Sequence, residues 1–125
     1  VEQVFYPGIE SHPGHETAKR LMWLADGEDD YGEPVNRYGH LLSFTLAGGV
    51  QAARDTMDGL QLVWRATDLG RIKSIATIPA ISTHQQQGAA ARALGGVPPH
   101  MIRLNVGAEG TRDIIADLDQ ALDGV

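Results

Sequence analysis

The stretch Met101-Ile102-Arg103-Leu104-Asn105-Val106-Gly107 constrains this chain more than any other. Its period is two. Ile102, Leu104 and Val106 fall on one face of a strand, and Met101, Arg103 and Asn105 on the other. The apolar face must pack on helices, which turns the arginine elsewhere. A guanidinium is a planar fork of donors that suits a carboxylate or a phosphate. An arginine on an edge or solvated face, paired with a surface acid, accounts for the same residues, and both readings stand at this point. Gly107 ends the strand, and Gly110-Thr111 opens a closing helix.

The rest of the chain supplies partners for that strand. Val1 to Tyr6 is a short strand stopped by Pro7-Gly8. Ser11 or His12 caps a helix with Pro13 in its first turn, and Ala18, Leu21, Met22 and Ala25 recur at helical spacing. Residues 26–38 break every pattern and read as a surface loop insertion. Leu41 to Ala47 alternates again, and Gly48-Gly49 turns into a helix marked by Val50, Ala53, Met57 and Leu60. Those glycines lack the remainder of a phosphate-binding fingerprint and read as a tight turn. Leu62 to Ala66 and Ser74 to Ile78 are further extended runs. The pattern predicts a helix from about His84 to Leu94, ending at Gly95-Gly96, with Ser82 or Thr83 as its cap. The last helix, Thr111 to Leu122, turns Ile114, Ile115, Leu118 and Leu122 inward. The simplest solution is α+β: a mainly antiparallel sheet of three or four strands with helices on one face, in a single domain over residues 1–125.

Charge and composition exclude several functions. A net charge of −6 without a basic cluster argues against a nucleic-acid partner. There is no cysteine, hence no disulfide, thiolate metal site or cysteine nucleophile, and a cytoplasmic setting is compatible. No apolar run is long enough to cross a membrane. His12 and His15 invite a metal reading, but Pro13-Gly14 between them marks a helix entry and no third ligand stands near in sequence, so no metal site is expected. Trp23 and Trp64 read as core or interface aromatics. With no initiator methionine before Val1, the chain is expected to belong to a longer polypeptide.

Several runs, in order, carry a resemblance. They are Val4-Phe5-Tyr6-Pro7-Gly8-Ile9, Ser11-His12-Pro13-Gly14-His15-Glu16, Leu42-Ser43-Phe44 with Gly48-Gly49, Leu69-Gly70, and Pro79-Ala80-Ile81-Ser82-Thr83-His84. The end of the chain adds Pro99 to Val106, Gly107-Ala108-Glu109 and the helix from Asp113 to Leu122. Together they resemble the C-terminal domain of the transsulfuration enzymes. These are the pyridoxal-phosphate-dependent enzymes of cysteine and methionine metabolism: cystathionine gamma-synthases and lyases, methionine gamma-lyases and O-acylhomoserine sulfhydrylases.

The resemblance implies a small α+β domain of a fold-type I enzyme. The intact protein would eliminate or replace a group at the beta or gamma carbon of cystathionine, a homoserine ester, cysteine or methionine, as a homo-oligomer. A cystathionine gamma-synthase or lyase is the nearest expectation. Arg103 takes the family's role of binding the substrate alpha-carboxylate. Asp68 lies where several relatives carry a serine or asparagine whose main chain helps hold the same carboxylate, and Leu69 beside it is taken as a further substrate contact. An aspartate side chain aimed there would repel the substrate, so either its backbone alone takes part or the side chain turns away. Thr67 to Gly70 reads equally as a turn. Thr83 matches a segment that approaches the active site. No catalytic residue is expected in this chain. Its lysines, Lys19 and Lys73, lack the family's serine-x-threonine-lysine setting, so the cofactor and the domain that binds it are assigned to a missing upstream part, and the isolated chain is expected to bind no cofactor and to be inactive. The rival expectation is a stand-alone, non-catalytic α+β ligand-binding or interaction module.

Overall fold

Alternation and helical spacing are both realised in the computed structural model of the chain, which describes residues 1–22, 27–28, 32, 34–35 and 38–125. In chain order the elements are β1 (Gln3–Phe5), α1 (His15–Leu21), β2 (Gly27–Glu28), β3 (Pro34–Val35), β4 (Leu41–Thr45) and α2 (Gly49–Gly59). Then come β5 (Trp64–Arg65), β6 (Ile75–Thr77), a 3-10 turn at Pro79–Ile81, α3 (Ala89–Leu94), β7 (Met101–Asn105) and α4 (Thr111–Leu122). The main sheet has the order β1-β4-β7-β6-β5. Every pairing is antiparallel except that of β5 with β6. The class is α+β, but the sheet has five strands and is mixed, not three or four. The difference lies at the edges, where Gln3–Phe5 adds to β4 and two residues of the 62–66 run pair in parallel with β6.

β7 lies at the centre, and its apolar face carries the core. Ile102 and Leu104 pack with Phe44, Ala76, Ala53 and Met57 in one cluster, against which Leu118 and Leu122 are partly buried. Each such side chain removed from water contributes roughly 1.5–3 kcal/mol. Helices α2 and α4 cover this face and meet where a Cβ on Gly59 would stand 3.3 Å from the Ala121 Cα. Two small residues thus let the helices approach closely.

The helix faces differ from their apolar spacing in instructive ways. On α2 the buried positions are Ala52, Ala53, Thr56 and Met57, while Val50 is exposed. On α4, Ile115 is exposed and Asp117 is buried in its place, together with Ile114 and Ala121. An acid turns inward there because it has donors to meet: its carboxylate accepts the amides of Gln61 (2.8 Å), Leu62 (2.9 Å) and Val63 (2.9 Å). Those amides follow α2 and lack partners in a strand ladder. On α1, His15 and Ala18 are buried and Leu21 is exposed.

The expected helix from His84 shortens to Ala89–Leu94. The His84 amide bonds back to the Pro79 carbonyl at 2.9 Å, which closes 79–84 on itself, and Gly88 stands extended at the helix start. No residue of α3 is buried, so no apolar stripe holds a longer helix in place. Most of the expected 26–38 loop lies outside the described residues, as do Trp23 and Ala25. Within that stretch β2 and β3 pair as a short antiparallel ladder. Tyr38 is buried, its ring 5.4 Å from that of His15.

Burial alone pushes the Asp117 carboxyl up, but the amides of Val63, Gln61 and Leu62 and the Gln120 side chain together hold it below its ordinary value. A depressed carboxyl stabilises the fold above the ordinary carboxylate range of about 4 and loses that contribution as pH falls through the lower folded value. Asp117→Ala strands three amides and is expected to cost about 2–4 kcal/mol. In urea titrations the gap between wild type and Asp117→Ala should narrow as pH falls below about 4; a gap that stays constant down to acid unfolding argues against the anchor.

Candidate carboxylate-binding site

On the second face of β7, Arg103 stands in register between Ser43 of β4 and Thr77 of β6. Its neighbours on that face, Met101, Asn105, Thr45, Thr77 and Ile75, are buried, and Arg103 itself is half-buried. The face is therefore covered. Residues 66–74, which join the parallel strands β5 and β6, run back across it.

Two bonds from β7 hold the near part of that connection. Arg103 Nη2 donates to the Thr67 carbonyl at 2.9 Å. Asn105 Oδ1 accepts the Gly70 amide at 2.7 Å. Gly70 takes a φ of +71°, which side chains rarely adopt, and so turns the segment. Among the described residues, nothing accepts the amides of Asp68 and Leu69 between these ties.

The far part is fastened by a second cluster. Gly107 N donates to Ser74 Oγ (2.8 Å), and Ser74 Oγ donates to Glu109 Oε2 (2.7 Å). The Ser74 amide donates to both Glu109 oxygens (2.8 and 3.0 Å), and the Ala108 amide to the Ile72 carbonyl (2.7 Å). Lys73 Nζ lies 3.5 Å from Glu109 and 4.8 Å from the centre of the Trp64 ring. Burial pushes the Glu109 carboxyl up, yet the Ser74 hydroxyl and amide, its own amide and Lys73 together hold it below its ordinary value.

Arg103 has no carboxylate partner among the described residues. Of its five donors one is taken by Thr67, so the fork is positioned but not neutralised. Asp68 turns its carboxylate to Arg71, 2.7 Å away on the exposed side, which removes the repulsion its side chain threatened. Leu69 is exposed. Thr83 Oγ1 lies 2.9 Å from His84 Nδ1, and no hydrogen bond joins it to Arg103 among the described residues. Ser82 caps no helix, for its hydroxyl donates to the Ile78 carbonyl and accepts from Thr77 Oγ1. A cavity of about 340 Å³ opens beside Thr67 and Thr77, with Ser82 in its wall.

The residues of this chain do not fit a pyridoxal-phosphate site. Lys73 is engaged by Glu109 and Trp64, and Lys19 is exposed on α1. Trp64 is itself an exposed edge residue, not a core one. At the entry to α1, His12 Nδ1 accepts the Gly14 amide and His15 Nδ1 meets the Pro7 carbonyl, a helix-entry junction. Among the described residues no cluster of three acids or histidines is placed to hold a metal, and no helix is long and apolar enough to cross a membrane.

The model of the Cys/Met metabolism PLP-dependent enzyme family matches residues 1–123, and the chain belongs to that family. It is 36% identical over 125 residues to the L-methionine gamma-lyase of Fusobacterium nucleatum subsp. polymorphum, covering 100% of this chain and 28% of that protein. It is 38% identical over 122 residues to the cystathionine gamma-lyase of Bos taurus, covering 98% of this chain and 27% of that protein. A crystal structure of cystathionine gamma synthase from Xanthomonas oryzae pv. oryzae in complex with cystathionine aligns with a TM-score of 0.82 at 35% identity, over 98% of this chain and 28% of that one. The chain thus spans little more than a quarter of the relatives it matches. Pyridoxal phosphate is the cofactor of this family, and its binding region lies outside the chain.

The connection over the sheet depends on a close approach at Gly107, where a Cβ would overlap the Ile72 carbonyl and the Ser74 amide. Both are backbone atoms and cannot swing aside. Gly107→Ala is expected to cost about 2 kcal/mol or more and to loosen 72–74, read as a lower urea midpoint. An unchanged midpoint removes the close approach from the account.

Proposed function

We propose that this chain is the C-terminal domain of a pyridoxal-phosphate enzyme of sulfur amino-acid metabolism, and that its task is to bind and orient the substrate alpha-carboxylate. One observation carries the reading. Arg103 is half-buried, held by the Thr67 carbonyl and unpaired with any acid among the described residues, and the turn it holds carries the Leu69 amide, which nothing there accepts. A guanidinium with free donors is a receptor for a planar anion, and a free main-chain amide in the same turn can add to it. Two parallel hydrogen bonds fix a carboxylate in direction as well as position, and so hold the bonds at the alpha carbon at a set angle. The exposed Asp68 carboxylate, turned to Arg71, leaves the place beside Arg103 without a competing negative charge.

Membership in the family supports an amino acid as the source of that carboxylate. Cystathionine, methionine, cysteine or a homoserine ester is the substrate class we infer, with elimination or replacement at the beta or gamma carbon and a cystathionine gamma-synthase or lyase as the nearest type. The names of the relatives and the cystathionine bound in the related structure support this choice. The cavity beside Thr67 and Thr77 is walled as well by Met57 and Asp58 of α2 and is not lined by Arg103, so the family resemblance alone assigns Thr83 to a substrate contact. The cofactor's chemistry is assigned to the part of the protein outside this chain. A homo-oligomer working in the cytoplasm completes the reading.

In the full-length protein, Arg103→Ala is expected to raise the Michaelis constant for L-cystathionine by the equivalent of about 2–5 kcal/mol while leaving cofactor absorbance near normal. Arg103→Lys should restore only part of the loss, because a point charge does not reproduce the fork. An Arg103→Ala enzyme with unchanged kinetics removes this residue from the site. The isolated 125-residue chain, mixed with pyridoxal phosphate and dialysed, should retain no stoichiometric cofactor and release neither thiol nor ammonia from cystathionine or methionine; retention or turnover shows that the chain is an enzyme by itself.

A further inference from the structure

Asn105 breaks a rule that the rest of the sheet obeys. It is 1% exposed, yet its Nδ2 has no acceptor among the described residues. Its sheet neighbours are Leu41 and Ile75, so the amide sits between two apolar side chains. A buried donor left unmet is rare, and where it persists it asks for a reason. The met half of the amide supplies one. Oδ1 takes the Gly70 amide at 2.7 Å, while Arg103, two residues back on the same face, takes the Thr67 carbonyl at 2.9 Å. One strand thereby grips both ends of the Thr67–Gly70 turn. The turn's middle amides, those of Asp68 and Leu69, are the free ones.

We propose that Asn105 is a positioning residue for the carboxylate subsite. By holding Gly70 it sets where the Leu69 amide and the Thr67 carbonyl stand relative to the Arg103 guanidinium. This rests on the carboxylate reading given above. The Ser74–Glu109–Gly107 cluster fastens only the far part of the connection. With Asn105 removed, the near part is tied to β7 by the Arg103 bond alone, and the same side chain must then fix the turn and receive the anion. The misplacement falls on groups that meet the carboxylate, so binding should suffer before chemistry does.

The test uses the full-length protein with its cofactor, and L-cystathionine and L-methionine as substrates. Asn105→Ala should raise the Michaelis constant about five- to tenfold, the size of one lost net hydrogen bond, with turnover changed less than about twofold. Hydrogen exchange followed by mass spectrometry should speed up in 67–72, and Asn105→Asp, which keeps an acceptor before Gly70, should restore slow exchange there. Unchanged exchange and Michaelis constant in Asn105→Ala, beside a large effect of Arg103→Ala, overturn the positioning role and leave the carboxylate reading intact. A joint fall of turnover, cofactor content and melting temperature marks a merely structural residue and also overturns it. If Arg103→Ala has no effect on the Michaelis constant of whichever of L-cystathionine, L-methionine, L-cysteine or an O-acylhomoserine the protein turns over, the carboxylate reading fails and this proposal falls with it.

Discussion

The parallel pairing of β5 with β6 is the constraint from which the second face of this domain follows. Parallel neighbours must start from the same end of the sheet, so the chain between them has to travel back. A helix ordinarily makes that return and satisfies its own backbone. Here residues 66–74 make it without one. Their exposed groups can turn to water, and the ones that bond within the fold meet β7, β6 and the segment that follows β7. That is why the polar face of β7 carries arginine and asparagine, and why Ser74, Gly107 and Glu109 form one knot at its end.

Two acids answer the same problem on opposite sides of the sheet. Asp117, on α4, takes the three amides that follow α2. Glu109 takes the amide and hydroxyl of Ser74. Both are held ionised by hydrogen bonds that outweigh the burial opposing them. Either acid, noticed alone in a cleft, invites assignment as a catalytic base. Their partners say otherwise, because a carboxylate whose lone pairs are filled by main-chain amides is an anchor.

Legibility in the sequence tracked the range of the interaction. The alternation of Met101 to Val106 marked β7 and set Arg103 on the face opposite Ile102 and Leu104, since period two is a local property. The strands next to it were visible for the same reason. Local spacing could not say that Asp117 rather than Ile115 turns inward, because the amides that draw it in are more than fifty residues away in the chain. Nor could it separate an edge pairing two residues long, such as Trp64–Arg65, from a turn. The helix expected from His84 failed because 79–84 closes on itself, a choice made by the His84 amide and the Pro79 carbonyl. In the site, Arg103 was legible as a residue type on a face, whereas the grip on Thr67 and Gly70 was not. An asparagine two positions beyond the arginine, just before a Val-Gly pair, was the one available hint.

What distinguishes Arg103 from Arg54, Arg65, Arg71 and Arg92 is therefore company rather than chemistry. Arg65 and Arg71 have acids at hand and are largely exposed, while Arg92 reaches the Gln87 carbonyl from α3. Arg54 also lacks an acid among the described residues, but it is exposed, and water solvates its charge. Arg103 is half-buried and has no acid among the described residues, and its fork is turned by a carbonyl that accepts a bond and cancels no charge. Removing a charge from water without an opposite partner is unfavourable, and the imbalance is relieved by whatever anion arrives. Among the described residues, acids anchor amides and the central guanidinium of the sheet has none, which is the imbalance that the proposed carboxylate would relieve. The nearest acid in sequence, Asp68, turns its carboxylate to Arg71 instead of to Arg103, so the turn brings no internal acid to the guanidinium.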